Sequence, residues 1–238
     1  MKYGESTFDI LYLAFAIVSG CLILAKSQNR TQKLMGLSVL ILGTGDAFHL
    51  IPRVLNYFVA TDLTAALGIG KLITSVTMTV FYVLLYYIWL GYYMVAEKKK
   101  MTAAIWMLAV IRIILCAFPQ NGWLQNSNDM IWGIMRNIPF VVLGTVVCVL
   151  YFCKRDEEAR FRPVWIYIML SFLFYIPVAV GAGAVPILGM LMLPKTVCYI
   201  LLILTFLLST LKYGKAAKNP PAGKTASDLQ GEGRAIAE

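Results

Sequence analysis

The sequence predicts an all-α membrane protein, a seven-transmembrane helix bundle with its N-terminus outside and its C-terminus in the cytoplasm. Three observations lead there. Of 238 residues, 60% are hydrophobic, and the mean hydropathy is +0.74; a soluble domain of this length could not bury so much apolar surface. Seven stretches are long enough to span a bilayer, at about 8–26, 34–58, 64–95, 101–118, 129–153, 163–184 and 186–211, and none alternates with the ten-residue rhythm of a barrel strand. The basic residues, finally, gather on one side of those spans.

Taken in order, the first span follows MKYGESTFD, which is not basic, and its apolar run continues past Cys21. VSGC at 18–21 loosely resembles a lipoprotein cleavage site, but this context favours a retained helix. The second span contains GDAFHLIPR, residues 45–53, between LMGLSVLILGT and VLNYFV. The third is longer than a span needs, so it tilts or projects past one face. The fourth carries Arg112, the fifth Arg136 and Asn137, the sixth a stripe of Tyr167, Ser171 and Tyr175, and the seventh Lys195 with Tyr199 one turn on. Short loops make sequential helices antiparallel neighbours. Residues 1–213 thus form one transmembrane domain. Residues 214–238 form a small, polar, basic tail, expected to be disordered and weakly attracted to anionic lipid.

Orientation follows from the lysines and arginines. One side holds Lys26, Arg30 and Lys33, then Lys98, Lys99 and Lys100, then Lys154, Arg155, Arg160 and Arg162, and at the C-terminal end Lys212, Lys215, Lys218, Lys224 and Arg234. The other side has Lys2 and the acids Glu5, Asp9, Asp62 and Asp129. This places the protein in the cell membrane as a multi-pass chain. The net charge of +9 is therefore topological and gives no support to nucleic-acid binding. Five cysteines lie in or at the ends of spans, which predicts neither a disulfide framework nor a zinc site. No metal or cofactor is expected.

Five basic residues remain, all inside spans: Arg53, Lys71, Arg112, Arg136 and Lys195. Each charge near a bilayer centre costs roughly 2.5–3.5 kcal/mol on insertion scales, so such residues face a bundle interior or a wet cavity. Asp46, about 18 Å from the inner end of its helix at 1.5 Å per residue, lies near mid-bilayer. It is the one acid expected at that depth. Asp46, His49, Arg53 and Asn56 are spaced three, four and three apart and share a stripe. Counting depth in every span puts the polar set between the midplane and the outer surface. Pro52, Pro139, Pro177 and Pro194 fall in the same outer halves, where each is expected to kink its helix and free a carbonyl. The expectation is a wet, positively charged cavity opening outward. Arg53, Lys71, Arg112, Arg136, Asn137, Lys195 and Tyr199 would be its ligand-binding residues. A bland alternative is a structural ion pair of Asp46 with Arg112 or Lys195, with Arg53, Lys71 and Arg136 snorkelling to the interface.

GDAFHLIPR also resembles the signature of the YhhN-type lysoplasmalogenase family, polytopic hydrolases with a GDxxL element, often ending in Pro-Arg, in an early helix. Gly45, Asp46, Ala47, Leu50, Pro52 and Arg53 match it, and ALGIGKLITSVTMTVFYVLLYYIW loosely resembles the family's next helix. The resemblance covers about 50 residues. It implies hydrolysis of the vinyl-ether bond of a lysophospholipid, with Asp46 as one of two catalytic carboxylates and the basic groups on the phosphate. The family's second aspartate falls near MLPKTVCYI, where this chain has Lys195. Its usual histidine is absent, leaving His49 to handle protons, and it tends to have eight helices. The expected function is binding, with or without hydrolysis, of an anionic amphiphile such as a membrane lipid. A transporter or receptor-like protein for a small organic anion fits the same features. A retinal protein would need a counter-ion for Lys195, and only Asp46 could serve.

Overall fold

The structure, a computed structural model, describes residues 2–126, 130–181 and 185–218. Among them there is no strand. The helices are α1 Lys2–Lys26, α2 Arg30–Phe58, α3 Thr64–Tyr92, α4 Lys99–Ala117, α5 Met130–Cys153, α6 Val164–Gly181 and α7 Met192–Lys218. Each carries a segment long and apolar enough to cross a membrane.

Helix starts follow local chemistry. Asn29 Oδ1 accepts from Gln32 N at 2.9 Å, and Gln32 Oε1 accepts in return from Gln28 N at 2.7 Å, a reciprocal cap on α2. Thr64 N–H donates to Asp62 Oδ1 at 3.0 Å where α3 begins; bonds from the Thr64 side chain and backbone hold that carboxyl below its usual range.

The expected spans fall on these helices and differ at their ends. α1 begins at Lys2 rather than near 8, so its first two turns are polar. The seventh span does not begin as an α-helix at 186: Pro186–Leu191 winds as a 3-10 turn and α7 starts at Met192. Pro194 therefore sits in the first turn, where its missing N–H has no carbonyl to lose, and it does not break a helix there as expected. Pro52, Pro139 and Pro177 do lie inside α2, α5 and α6. α7 continues to Lys218. Residues 219–238 of the expected tail, and Asp129, lie outside the described residues.

Successive helices run antiparallel and close into a ring, α1 against α7, with α3 drawn in against α2, α4 and α5. The inward face of α3 repeats at helical spacing through Met78, Phe81, Tyr82, Leu85, Tyr86 and Trp89, all buried. Between apolar helices in lipid there is little hydrophobic drive, so packing and hydrogen bonds must hold them. Tyr82 stands edge-on to Phe140 at 5.2 Å, and Phe81 to Tyr199 at 6.0 Å. Tyr151 Oη donates to Leu85 O at 3.0 Å and Trp89 Nε1 to Leu150 O at 2.9 Å.

α2 and α3 approach most closely. A Cβ on Gly45 would lie 2.0 Å from Thr77 Oγ1, and one on Gly70 would lie 2.2 Å from the Phe48 carbonyl oxygen. Thr74 Oγ1 donates to Gly45 O at 3.0 Å across the same seam. A backbone carbonyl cannot swing aside, so Gly70→Ala is expected to force the helices apart and cost about 1–3 kcal/mol or more. The check is thermal unfolding in detergent, with Gly4→Ala, which meets nothing within 4 Å, as the unaffected control.

Candidate functional site

At the end of the bundle that carries the start of α1, a cavity of about 610 Å³ lies among α2 to α7, within the roughly 300–1,000 Å³ of ordinary ligand pockets. Asp46, His49 and Arg53 line it from α2, and Lys71 from α3. Arg112 comes from α4, Arg136 and Asn137 from α5, and Lys195 and Tyr199 from α7. All nine residues expected from sequence thus border one space. Asn56, on the same sequence stripe as Asp46, is exposed and does not.

Each cation is held differently. Arg53 forms an ion pair and hydrogen bond with Glu5 of α1, whose other oxygen accepts from Tyr57 Oη at 3.1 Å. Lys71 Nζ donates to Asn126 Oδ1 at 2.6 Å, and Arg136 Nη1 to Asn121 Oδ1 at 2.6 Å. These three side chains are therefore bonded within the protein. Lys195 Nζ stands 4.8 Å from the Tyr175 ring centre and 5.4 Å from that of Tyr199, within cation–π range.

Arg112 has the least conventional setting. It belongs to the buried stripe of α4 with Ile105, Ala109 and Cys116, is 2% exposed, and lies 3.3 Å from the Phe140 ring centre. Its Nε and Nη1 have no hydrogen-bond partner. Buried guanidinium nitrogens are expensive to leave unbonded, and the Arg112 residue borders the cavity.

The link between α4 and α5 builds part of the wall. Asn121, fully buried, donates to the carbonyls of Leu115 (2.8 Å) and Phe118 (2.9 Å), and Trp123 Nε1 donates to Cys116 O at 2.8 Å. These bonds satisfy the carbonyls that the end of α4 leaves open. They also lay Trp123 against the Arg136 guanidinium, 4.5 Å from ring centre to carbon.

Asp46 is not in the ion pair with Arg112 or Lys195 that the sequence left open; among the described residues its partner is Tyr12, whose Oη donates to Oδ2 at 2.7 Å. His49 lines the cavity too, with Nδ1 buried and unpartnered. Nor is Asp46 the only acid inside the bundle. Asp9, expected in the outer segment, lies within α1, 5% exposed, with Oδ2 lacking a partner; Arg53, Glu5 and Asp46 are the charges acting on it. It does not line the cavity.

Around the space, five cations face one carboxylate, and Glu5 offsets Arg53 from behind. Net positive charge in a low-dielectric pocket favours an anion. Tyr175, read from sequence as packing, donates from Oη to Asn137 Oδ1 at 2.7 Å and lines the site. Its place on a polar stripe was the available signal. Tyr12 offered none, being one tyrosine in an apolar run. Among the described residues, no three His, Cys, Asp or Glu side chains converge.

No family model matches the chain, and no curated protein or solved structure matches it either. The functional reading rests on the cavity itself.

Proposed function

We propose that the chain is an integral membrane protein whose cavity, in the outer half of the bilayer, binds the charged head of an anionic amphiphile. Arg112 carries the reading. Two of its nitrogens are buried without a partner, and the residue borders the cavity. Guanidinium N–H groups form the fork that matches a phosphate, sulfate or carboxylate. Lys195, Arg136 and Lys71 add charge around that fork. The outward orientation follows from the lysine and arginine distribution.

Turnover is a further part of the proposal. Asp46 and His49 border the same space as the cations. If the bound amphiphile carries a vinyl ether, Asp46 in its protonated form would give a proton to the alkenyl carbon. Water then adds to the resulting oxocarbenium carbon, and the hemiacetal collapses to an aldehyde and the head-group alcohol. Export or import of a small organic anion is the competing reading.

Native mass spectrometry of gently solubilised protein tests the binding. A co-purifying anionic lipid, lost on Arg112→Ala, is the expected result; a bare protein that takes up neither lysoplasmalogen nor lysophospholipid would overturn it. Aldehyde released from lysoplasmalogen would add hydrolysis. Tracer anion uptake into proteoliposomes without aldehyde would move the assignment to transport.

A further inference from the structure

The cavity wall changes character from one side to the other. On α2 and α3 it is polar, through residues such as His49, Arg53, Lys71 and Thr74. On α5, α6 and α7 the polar Arg136, Asn137, Tyr175 and Lys195 give way, toward the same end of the bundle, to Met130, Gly133, Val178, Ala179, Val180 and Met192. A hydrated inorganic anion has no use for such a wall.

Two glycines of α5 measure the gap between α5 and α6. At Gly144 the helices are tight, and a Cβ there would lie 2.0 Å from the Phe172 ring. At Gly133, three turns nearer the cavity mouth, a Cβ would meet, among the described residues, only the Ala179 carbonyl oxygen, at 4.0 Å. Yet Gly133 is buried and borders the cavity. Its missing side chain is therefore open cavity space between two helices. Pro139 and Pro177 lie between the tight level and the loose one, each removing a ladder hydrogen bond from its helix. Glycine inside a helix is unfavourable relative to alanine, so local helix formation does not explain Gly133. The space beside it does.

Resting on that reading of the cavity as an anion site, we infer that the slot between α5 and α6 receives one alkyl chain of the ligand, and that Gly133 determines how much chain it admits. The head sits among Arg112, Lys195 and Arg136, and the chain runs past Gly133 and Ala179.

Alkyl phosphates from ethyl to octyl, soluble as monomers, test this with the full-length protein by native mass spectrometry. In wild type, affinity should rise by up to about fourfold per methylene, the water-to-apolar transfer value. Gly133→Leu should lose the gain in affinity from ethyl to octyl phosphate; Gly133→Ala should fall between. Equal slopes in wild type and Gly133→Leu would overturn the slot. So would a flat slope in wild type with ethyl phosphate bound, which leaves the cation site intact. Binding of no phosphate at all by wild type would remove the anion site and the slot with it. Should Gly133→Leu fail to fold, Ala179→Leu fills the opposite wall and should flatten the slope in the same way; an unchanged slope there would equally overturn the slot.

Discussion

Replacing Arg112 with methionine is expected to weaken anion binding by at least tenfold while leaving the unliganded protein no less stable. The two effects have separate origins. A charge-assisted hydrogen bond is worth about 1.5–3 kcal/mol, or roughly 10- to 150-fold in affinity, and Arg112 can offer more than one. In the unliganded protein the same guanidinium is 2% exposed with two unbonded nitrogens. Its desolvation costs several kcal/mol, against about 2 kcal/mol from the Phe140 ring beneath it. Methionine fills a similar volume without that debt. Thermal unfolding with and without inorganic phosphate reads both quantities in one experiment. A variant that melts early yet keeps its phosphate response would make Arg112 a structural residue and remove the main support for the proposed function.

Asp46→Asn has the second largest expected effect, and it divides binding from turnover. Asparagine has the shape and the neutrality of the protonated acid that hydrolysis requires, so anion affinity should be unchanged. Hydrolysis, if present, should fall by about 10²–10⁴, the usual worth of a positioned proton donor. Asparagine can still accept the Tyr12 hydroxyl, so the fold should hold. Aldehyde release assayed beside phosphate affinity distinguishes the cases. Wild-type hydrolysis by Asp46→Asn would exclude Asp46 as the acid. Affinity falling in parallel with any activity would mean that its contact with Tyr12 matters for shape.

The helices and the cavity lining were legible from sequence for one reason: both depend on position along a regular helix. Residues 46, 49 and 53 share a face whatever else the bundle does, and depth from a span end places Arg112 and Lys195 at the levels where their neighbours also carry polar groups. What depended on non-periodic structure was not legible. The Tyr12 bond to Asp46 needs the rotation of α1 against α2, which no residue spacing fixes. Asp9 was assigned to the outer segment because the apolar run begins near it, whereas the helix continues through that polar turn back to Lys2. Pro194 was read as interrupting a helix because the span was counted from 186; the 3-10 turn before it moved the true start. The bonds of Asn121 and Trp123 to the end of α4 belong to a loop whose path its composition does not encode.

The seam between α2 and α3 has a consequence for timing. With Gly45 against Thr77 and Gly70 against the Phe48 carbonyl, those helices cannot slide past each other or close further without collision. The seam joins the two helices that carry Arg53 and Lys71. The facing wall contains both Pro139 and Pro177, followed by a 3-10 turn in place of a full helix start, against Pro52 alone in α2, so its ladder is interrupted more often. Fixed cations need no rearrangement to attract an anion, which keeps arrival fast and salt-sensitive. On the proposed function, departure would wait on the yielding wall, so α5 and α6 would set residence time.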